Sequence, residues 1–378
     1  MTGCLCAPAV HTRRRETMAD DIIISAPKLT AAVEAIVAQG GSNAREASLV
    51  ASALVEANLK GHDSHGVGMI PRYIESLKAG GLSVNQSPKI VLDTGPIVRM
   101  DGQAGYGQVI GHDAMTIAIE RAKTHGLCAA GLYHAHHIGR IGGWAEMAVA
   151  AGLVSMHFVN VVSRPIVAAW GGGDGRFGTN PICIGVPRKG QDPIILDFAT
   201  SRIAQGKTRV AHNRGKPLEP GTIIDNEGRP TTDPRYTVVP PFGAIMTFGE
   251  HKGFGLALIA ELLGGALTGG DTMRKPYDGT LTGVYNGMMT ILLDPEKLGT
   301  SAHFQGEIDA FTAWVTGGPV AQGFDKVRLA GEPEREWKAK RLEEGVPVDP
   351  TTWGDILTAA EKVGLPRAEV GKIAGVGV

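Results

Sequence analysis

Five of the twelve histidines fall in two short loops. His62 and His65 lie within Gly61-His62-Asp63-Ser64-His65-Gly66, and His134, His136 and His137 precede Ile138-Gly139-Arg140. Imidazole is the side chain whose ordinary pKa lies nearest neutrality, so such clusters suit proton transfer or metal binding. Asp63 and Ser64 can hydrogen-bond the His65 ring or its loop, and Gly66 lets the backbone turn. His137 stands just past a strand-like run, 127–133, where catalytic groups are commonly presented, and Arg140 beyond it can meet a carboxylate or a phosphate.

Other chemistries compete for the same residues. His62 with His65, or His134 with His136, could share a zinc ion and serve a metal-dependent hydrolase. Neither H-E-x-x-H nor a paired-cysteine signature accompanies them. An isolated histidine such as His112, His125 or His212 reads better as a helix cap or a partner for a buried carbonyl. Two nucleotide motifs fail on context. Gly173-Asp174-Gly175-Arg176-Phe177-Gly178 has the spacing G-x-G-x-x-G, but Asn180-Pro181 and a strand-like run follow where a helix N-terminus must hold the pyrophosphate. Gly206-Lys207-Thr208 resembles the end of a P-loop, yet Ser201 occupies the position of its first glycine and no helical pattern follows Thr208.

These loops need a scaffold. Between Ser42 and Leu59 the residues Ala47, Val50, Leu54 and Ala57 recur at helical spacing, with Ser42 or Asn43 as cap and Gly61 behind. Pro71 opens a second helix running to Gly80. Segments 90–92, 97–100, 127–133, 154–162 and 182–186 read as strands, separated in places by helical stretches near 111–125 and 142–151. This predicts an α/β body, and links as short as Asn180-Pro181 favour a mixed or antiparallel sheet. Residues 201–240 read as a long excursion, His251 to Leu267 as a glycine-spaced helix, and 333–344 and 351–364 as C-terminal helices.

Composition narrows the partners. With 378 residues, 43% of them hydrophobic, the chain can bury a sizeable core in two or three domains. Basic and acidic residues number 37 and 38, so no surface is prepared for nucleic acid or a membrane, and a small molecule is the expected partner. Cys4, Cys6, Cys128 and Cys183 are too few and scattered for a disulfide framework, which suggests a cytoplasmic protein. Residues 1–17, ahead of a second methionine at Met18, read as a disordered extension.

Five separated motifs in order, from about residue 25 onward, make the chain recognisable. They are GHDSHG at Gly61–Gly66 with Pro71 and Tyr73, HHIG at His136–Gly139, GTNP at Gly178–Pro181, LDFATS at Leu196–Ser201 and HKG at His251–Gly253. Together they resemble the malate/L-lactate dehydrogenase family. The resemblance implies a non-Rossmann NAD(P)-binding domain around a mixed, mostly antiparallel sheet, plus a helical domain built from separated chain segments. The expected division is an N-terminal helical region at 18–95, an α/β nucleotide-binding region at 96–250, and a helix-rich region at 251–378 packing on the N-terminal helices. It also implies a homodimer that transfers hydride between NAD or NADP and a 2-oxo or 2-hydroxy acid. Cyclic imine reduction and ureidoglycolate or sulfolactate oxidation lie within the same family.

Carried over by position, Ser64, His65 and Asp197 match the family's catalytic relay, with His65 as proton donor and His137 as the alternative acid/base. Cofactor contacts are expected from His65, Gly139, Arg140, Ile141, Ile195, Leu196, Asp197, Phe198, Ala199, His251, Asn286, Gly331 and Glu332. Substrate contacts are expected from Arg72, Met69 and Arg140. Many relatives carry arginine where this chain has Met69, a change that favours an apolar substrate tail such as that of phenylpyruvate.

Overall fold

The computed structural model describes residues 21–213, 215–274 and 282–377, so the extension expected at 1–17 lies outside the described residues. The chain begins with β1 (Ile22–Ile24), α1 (Ala26–Gln39), α2 (Ala44–Leu59) and α3 (Ile70–Lys78). Its middle adds β2 (Lys89–Asp93), β3 (Ile97–Asp101), α4 (Gly107–His125), β4 (Leu127–His136), α5 (Gly142–Ala150), β5 (Val154–Val162), β6 (Val167–Ala168), β7 (Gly175–Phe177), β8 (Ile182–Val186) and β9 (Ile194–Phe198). Next come α6 (Gln205–Asn213), β10 (Ile223–Ile224), β11 (Pro230–Thr231), α7 (Arg235–Val238), β12 (Ala244–Ile245) and α8 (His251–Glu261), which runs on into a π-helical turn at Leu262–Ala266. The last part holds β13 (Tyr285–Leu293), α9 (Ser301–Thr316), α10 (Glu332–Glu344), β14 (Val346–Val348), α11 (Pro350–Lys362) and α12 (Arg367–Ala374).

Helices from both ends of the chain share one core. Leu29, Ile36, Val50, Leu54, Tyr73 and Ile74 pack there with Trp353, Ile356 and Val370, and β1 pairs with β14 beside them. In α2 the Asn43 side chain accepts the Glu46 N–H, and the predicted apolar stripe is buried. Burying a side chain the size of Val50 or Leu54 contributes roughly 1.5–3 kcal/mol.

Among the described residues the main sheet has seven strands in the order β2-β3-β4-β13-β5-β8-β9. Its neighbours run antiparallel except β3 with β4, which is the mixed, mostly antiparallel sheet expected. The inner faces of α4 and α5 cover it with Ile110, Met115, Trp144 and Ala148 over Val98, Met100, Leu132 and Met288. A smaller sheet, β11-β10-β12-β6-β7, has its own cluster of Ile166, Val167, Phe177, Ile223 and Ile245.

Several expectations are corrected. The central strand β13 was not anticipated, and it carries part of the 251–378 region into the sheet; its two faces are both covered, which hides the period-two alternation. Strand β2 joins the sheet from before residue 96 by pairing with β3. The 201–240 excursion contains α6, α7, β10 and β11 rather than irregular chain alone, and a helix does extend past Thr208. That helix is short and polar, and tertiary contact with the turn at Asp63–His65 supports it. The glycine-rich run at 173–178 forms β7 in the smaller sheet, with no helix after it.

Candidate active site

α2 ends in a Schellman arrangement, with Gly61 in the left-handed region, its N–H on Asn58 O and the His62 N–H on Ala57 O. The chain then turns once through Asp63–His65. Asn58 holds this turn with both ends of its amide: Nδ2 donates to Asp63 Oδ1 at 2.7 Å, and Oδ1 accepts the Val67 N–H at 2.8 Å. A Cβ on Gly66 would stand 2.1 Å from Asn58 Oδ1, so glycine is required there. Arg341 of α10, itself fully buried, reaches the Asn58 carbonyl and grips Asp63 with two nitrogens, at 2.7 and 3.1 Å. Asp63 therefore anchors the loop, and Ser64 alone of the two expected partners meets the imidazole, with Oγ 2.9 Å from His65 Nδ1.

The second loop leaves the end of β4. Tyr73 on α3, fully buried, places its hydroxyl 2.7 Å from His137 Nδ1, and Gln108 Nε2 on α4 donates to that same hydroxyl at 2.7 Å. Asn286 on β13 accepts the Ile138 N–H at 3.0 Å and donates to Asn160 O at 2.8 Å. Expected among the cofactor contacts, it is buried, and its amide fixes the loop backbone.

The two loops converge: His65 and His137 stack with ring centroids 5.5 Å apart and 25° between planes. Each Nδ1 is taken by a hydroxyl, which leaves Nε2 on each ring for a ligand. Burial lowers the His65 pKa to about 4, with the Arg140 charge assisting. His137 is held well below the usual range by burial, then by His65, His136 and Arg72. Arg72 is exposed at the surface of α3, and its charge reaches both His136 and His137. Met69 is partly buried and packs on the helical core. His134 points outward near Asp101, away from the stacked pair.

Asp197 on β9 accepts the Gly142 N–H at 2.8 Å at the start of α5, and Arg140 Nη1 lies 3.9 Å away. Arg140 is buried, with Nη2 on Glu146 at 2.6 Å and Nη1 lacking a hydrogen-bond partner. A Cβ on Gly142 would fall 2.1 Å from that Nη1, so a side chain there would push the guanidinium out of this position. Asp197 and Glu146 thus flank the Arg140 charge that bears on His65.

A cavity of about 140 Å³ opens here, lined by Arg140, Ile195, Asp197 and Gly331 from the expected set, together with Lys60, Glu146, Pro193, Glu334 and Arg335. A second, of about 530 Å³, follows the same two chain segments and includes Arg188, Leu329 and the expected Glu332. The Ile195 N–H donates to Ala330 O, tying the segments together. The buried Nη1, without a hydrogen-bond partner among the described residues, is a donor suited to a polar group of a dinucleotide. His251 lies exposed at the start of α8, while Leu196, Phe198 and Ala199 remain at least partly open on and beyond β9. Among the described residues no group of three or more His, Cys, Asp or Glu could hold a metal, so a hydrolase built on the two histidine loops lacks its donor set.

Sequence motifs located Ser64, His65, His137 and Arg140. Gln108, Asn58 and Arg341 escaped them, because their partners lie far along the chain and no local pattern marks the contact.

Residues 24–357 match the model of the malate/L-lactate dehydrogenase family. Hydroxycarboxylate dehydrogenase B of Escherichia coli O157:H7 is 46% identical over 337 residues, covering 89% of this chain and 92% of its own length. The L-lactate dehydrogenase of Cupriavidus necator is 38% identical over 326 residues, 84% of this chain and 92% of its own. A solved structure from E. coli, ascribed to a malate/lactate dehydrogenase, superposes with a TM-score of 0.89 at 43% identity, covering 94% of this chain and 99% of that one. With these motifs, this sheet and these matches, the chain belongs to the malate/L-lactate dehydrogenase family of oxidoreductases.

Proposed function

We propose that the protein reduces 2-oxo acids to 2-hydroxy acids with NADH or NADPH, reversibly, and that His65 moves the proton. The observation that carries this reading is the stacked His65–His137 pair, each ring with Nε2 available, beside the unpartnered guanidinium nitrogen of Arg140. The nicotinamide, when bound, supplies the hydride that reaches the carbonyl carbon. As that bond forms, the carbonyl π pair becomes an alkoxide lone pair, and His65 Nε2–H delivers the proton that completes the hydroxyl.

His65 is neutral in the free protein because burial and Arg140 disfavour its cation. That state suits the oxidation direction, in which His65 accepts the hydroxyl proton. In reduction, the carboxylate of the bound 2-oxo acid offsets the Arg140 charge and favours the imidazolium. Ser64 Oγ serves both states, since a hydroxyl donates to a neutral Nδ1 and accepts from a protonated one. Arg72 is the candidate for the substrate carboxylate, and its exposure leaves it accessible. Met69, at a position where many relatives carry arginine, favours an apolar tail such as that of phenylpyruvate over the acidic one of oxaloacetate.

The homodimer expected of such an enzyme is supported by the exposed apolar residues Leu258, Ile259, Leu262 and Leu267 along and just beyond α8, and light scattering of the purified protein measures it. No helix among the described residues is long and apolar enough to cross a membrane.

The test follows nicotinamide absorbance with NADH and NADPH in turn against pyruvate, oxaloacetate, 2-oxoglutarate, phenylpyruvate and hydroxyphenylpyruvate, for the native protein and His65→Ala. Oxidation that His65→Ala abolishes supports the reading and reveals the preferred dinucleotide. Silence with every pair refutes it in favour of cyclic imines or other hydroxy acids of the family's range.

A further inference from the structure

The two stacked histidines differ in what holds their Nδ1 atoms. Ser64 offers a hydroxyl that His65 can use in either sense. Tyr73 offers His137 a hydroxyl whose oxygen already accepts from Gln108 Nε2. Tyr73 and Gln108 are both buried, and Gln108 Oε1 finds no partner. With the Tyr73 oxygen accepting from the amide, its own hydrogen has one recorded acceptor among the described residues, His137 Nδ1. The Nδ1 lone pair must then be free, and the ring proton must sit on Nε2.

The amide nitrogen stands on the Tyr73 hydroxyl, and this orientation sets the direction of the chain. Adding a second proton to His137 would displace the Tyr73 hydrogen into a site with no acceptor among the described residues.

We propose that the chain Gln108–Tyr73–His137 fixes His137 as the neutral ring protonated at Nε2. His137 then grips the substrate carbonyl oxygen as a hydrogen-bond donor while His65 alone carries the proton, and Gln108 is the positioning residue that sets this state. The inference rests on the reductase reading of the site and divides its two histidines between two roles. His137 polarises the carbonyl and steadies the forming alkoxide without changing its own protonation, as a fixed donor does in an oxyanion site. The deep burial that holds His137 neutral agrees with this division.

The test is nitrogen NMR of protein labelled in histidine, which reads tautomers without substrate or turnover. In the native protein the His137 proton is expected on Nε2 from pH 8 down to 5. A proton on Nδ1, or an imidazolium at neutral pH, overturns the proposal. Gln108→Glu presents a carboxylate that accepts the Tyr73 hydrogen and frees the Tyr73 oxygen to accept, so the His137 proton should move to Nδ1. In steady-state kinetics of that variant kcat should fall about a hundredfold while the KM for the dinucleotide holds. An unchanged tautomer in Gln108→Glu overturns the role of Gln108.

Should the buried carboxylate prevent folding, Tyr73→Phe keeps the ring packing and removes the hydroxyl. Its His137 is expected to lose the single Nε2–H form, and retention of that form counts against the proposal. If the tautomers behave as expected and no 2-oxo acid is reduced, the reductase reading fails and the chain stands. If reduction proceeds with His137 protonated at Nδ1, the reductase reading stands and this inference fails.

Discussion

The turn that carries His65 and the loop that carries His137 are anchored by different means. The first hangs on the C-terminus of α2 and is tied by side chains, Asn58 from the same helix and Arg341 from α10 nearly three hundred residues away. The second continues a strand whose register is set by β13, and Asn286 of that strand clasps its backbone. A side-chain clamp fails when one residue is removed, whereas a loop growing from a sheet persists until the sheet gives way. His65 therefore sits on the more easily disturbed mount, and it is also the ring whose hydroxyl partner can follow a change in protonation.

Removing each ring should separate the two roles most strongly. His65→Ala is expected to lower kcat/KM for 2-oxo acid reduction about a thousandfold, the loss of a general acid. His137→Ala should cost about a hundredfold, the loss of one fixed donor. Equal losses, measured under the same conditions, would erase the distinction between the loops.

Next in size is the clamp. Arg341→Met keeps much of the side-chain volume but strips Asp63 of its bidentate partner and the Asn58 carbonyl of a donor. Losing one member of a buried pair costs about 3–5 kcal/mol, and the partial exposure of Asp63 places this case near the lower end. Urea denaturation should show that loss, and the remaining folded protein should turn over slowly because the His65 turn is loosened. Asn286→Ala, by comparison, should leave His65-dependent proton transfer intact.

Much of this scaffold is legible in the sequence, and the missing parts share a cause. α2, α3 and α4 are visible because one face is buried and the other is wet, and the Asn43 cap and Gly61 mark the ends of α2. β13 is hidden because both of its faces are covered, so Tyr285 to Leu293 shows no alternation that distinguishes a strand from a buried helix. α6 is hidden because it is short, polar and dependent on contact with the Asp63–His65 turn. In the site, residues within one loop are readable from spacing, and Ser64–His65 is such a pair. Tyr73–His137 and Gln108–Tyr73 join positions 64 and 35 residues apart, and only folding brings them into contact. Asp197, expected in the relay with Ser64 and His65, accepts the Gly142 N–H at the head of α5 and lies near Arg140, contacts that no spacing announces.

Acid should press on both regions. His136, at the end of β4, and His157, in β5 with Nδ1 on Thr290, are each lowered to about 3, chiefly by burial. Their folded pKa values lie below the unfolded value near 6.5, so the unfolded chain binds more protons in between. The stability they contribute is fully present above about pH 6.5 and declines as pH falls from there toward 3, by about 1.4 kcal/mol per pH unit for each ring. Urea midpoints between pH 7 and 5 should fall accordingly, and His157→Leu should flatten the slope. A flat profile in the native protein would mean that the rings gain protons without unfolding.

The smallest effect compares two asparagines at opposite ends of one helix. Asn43 caps the N-terminus of α2 by accepting the Glu46 N–H at 2.9 Å, and Asn58, its penultimate residue, holds the His65 loop. Asn43→Ala removes an ordinary N-cap and should lower stability by about 1 kcal/mol. Because α2 is fixed to its neighbours by Val50, Leu54 and the rest of its buried stripe, fraying at the cap should not propagate to residue 58, and kcat should stay at the native value. Asn58→Ala removes an equally small side chain yet releases both the Val67 N–H and Asp63, so it should reduce kcat as well as stability. If Asn43→Ala slowed turnover in proportion to its loss of stability, α2 would be transmitting motion along its length, and the mount of His65 would be the whole helix rather than its last turn.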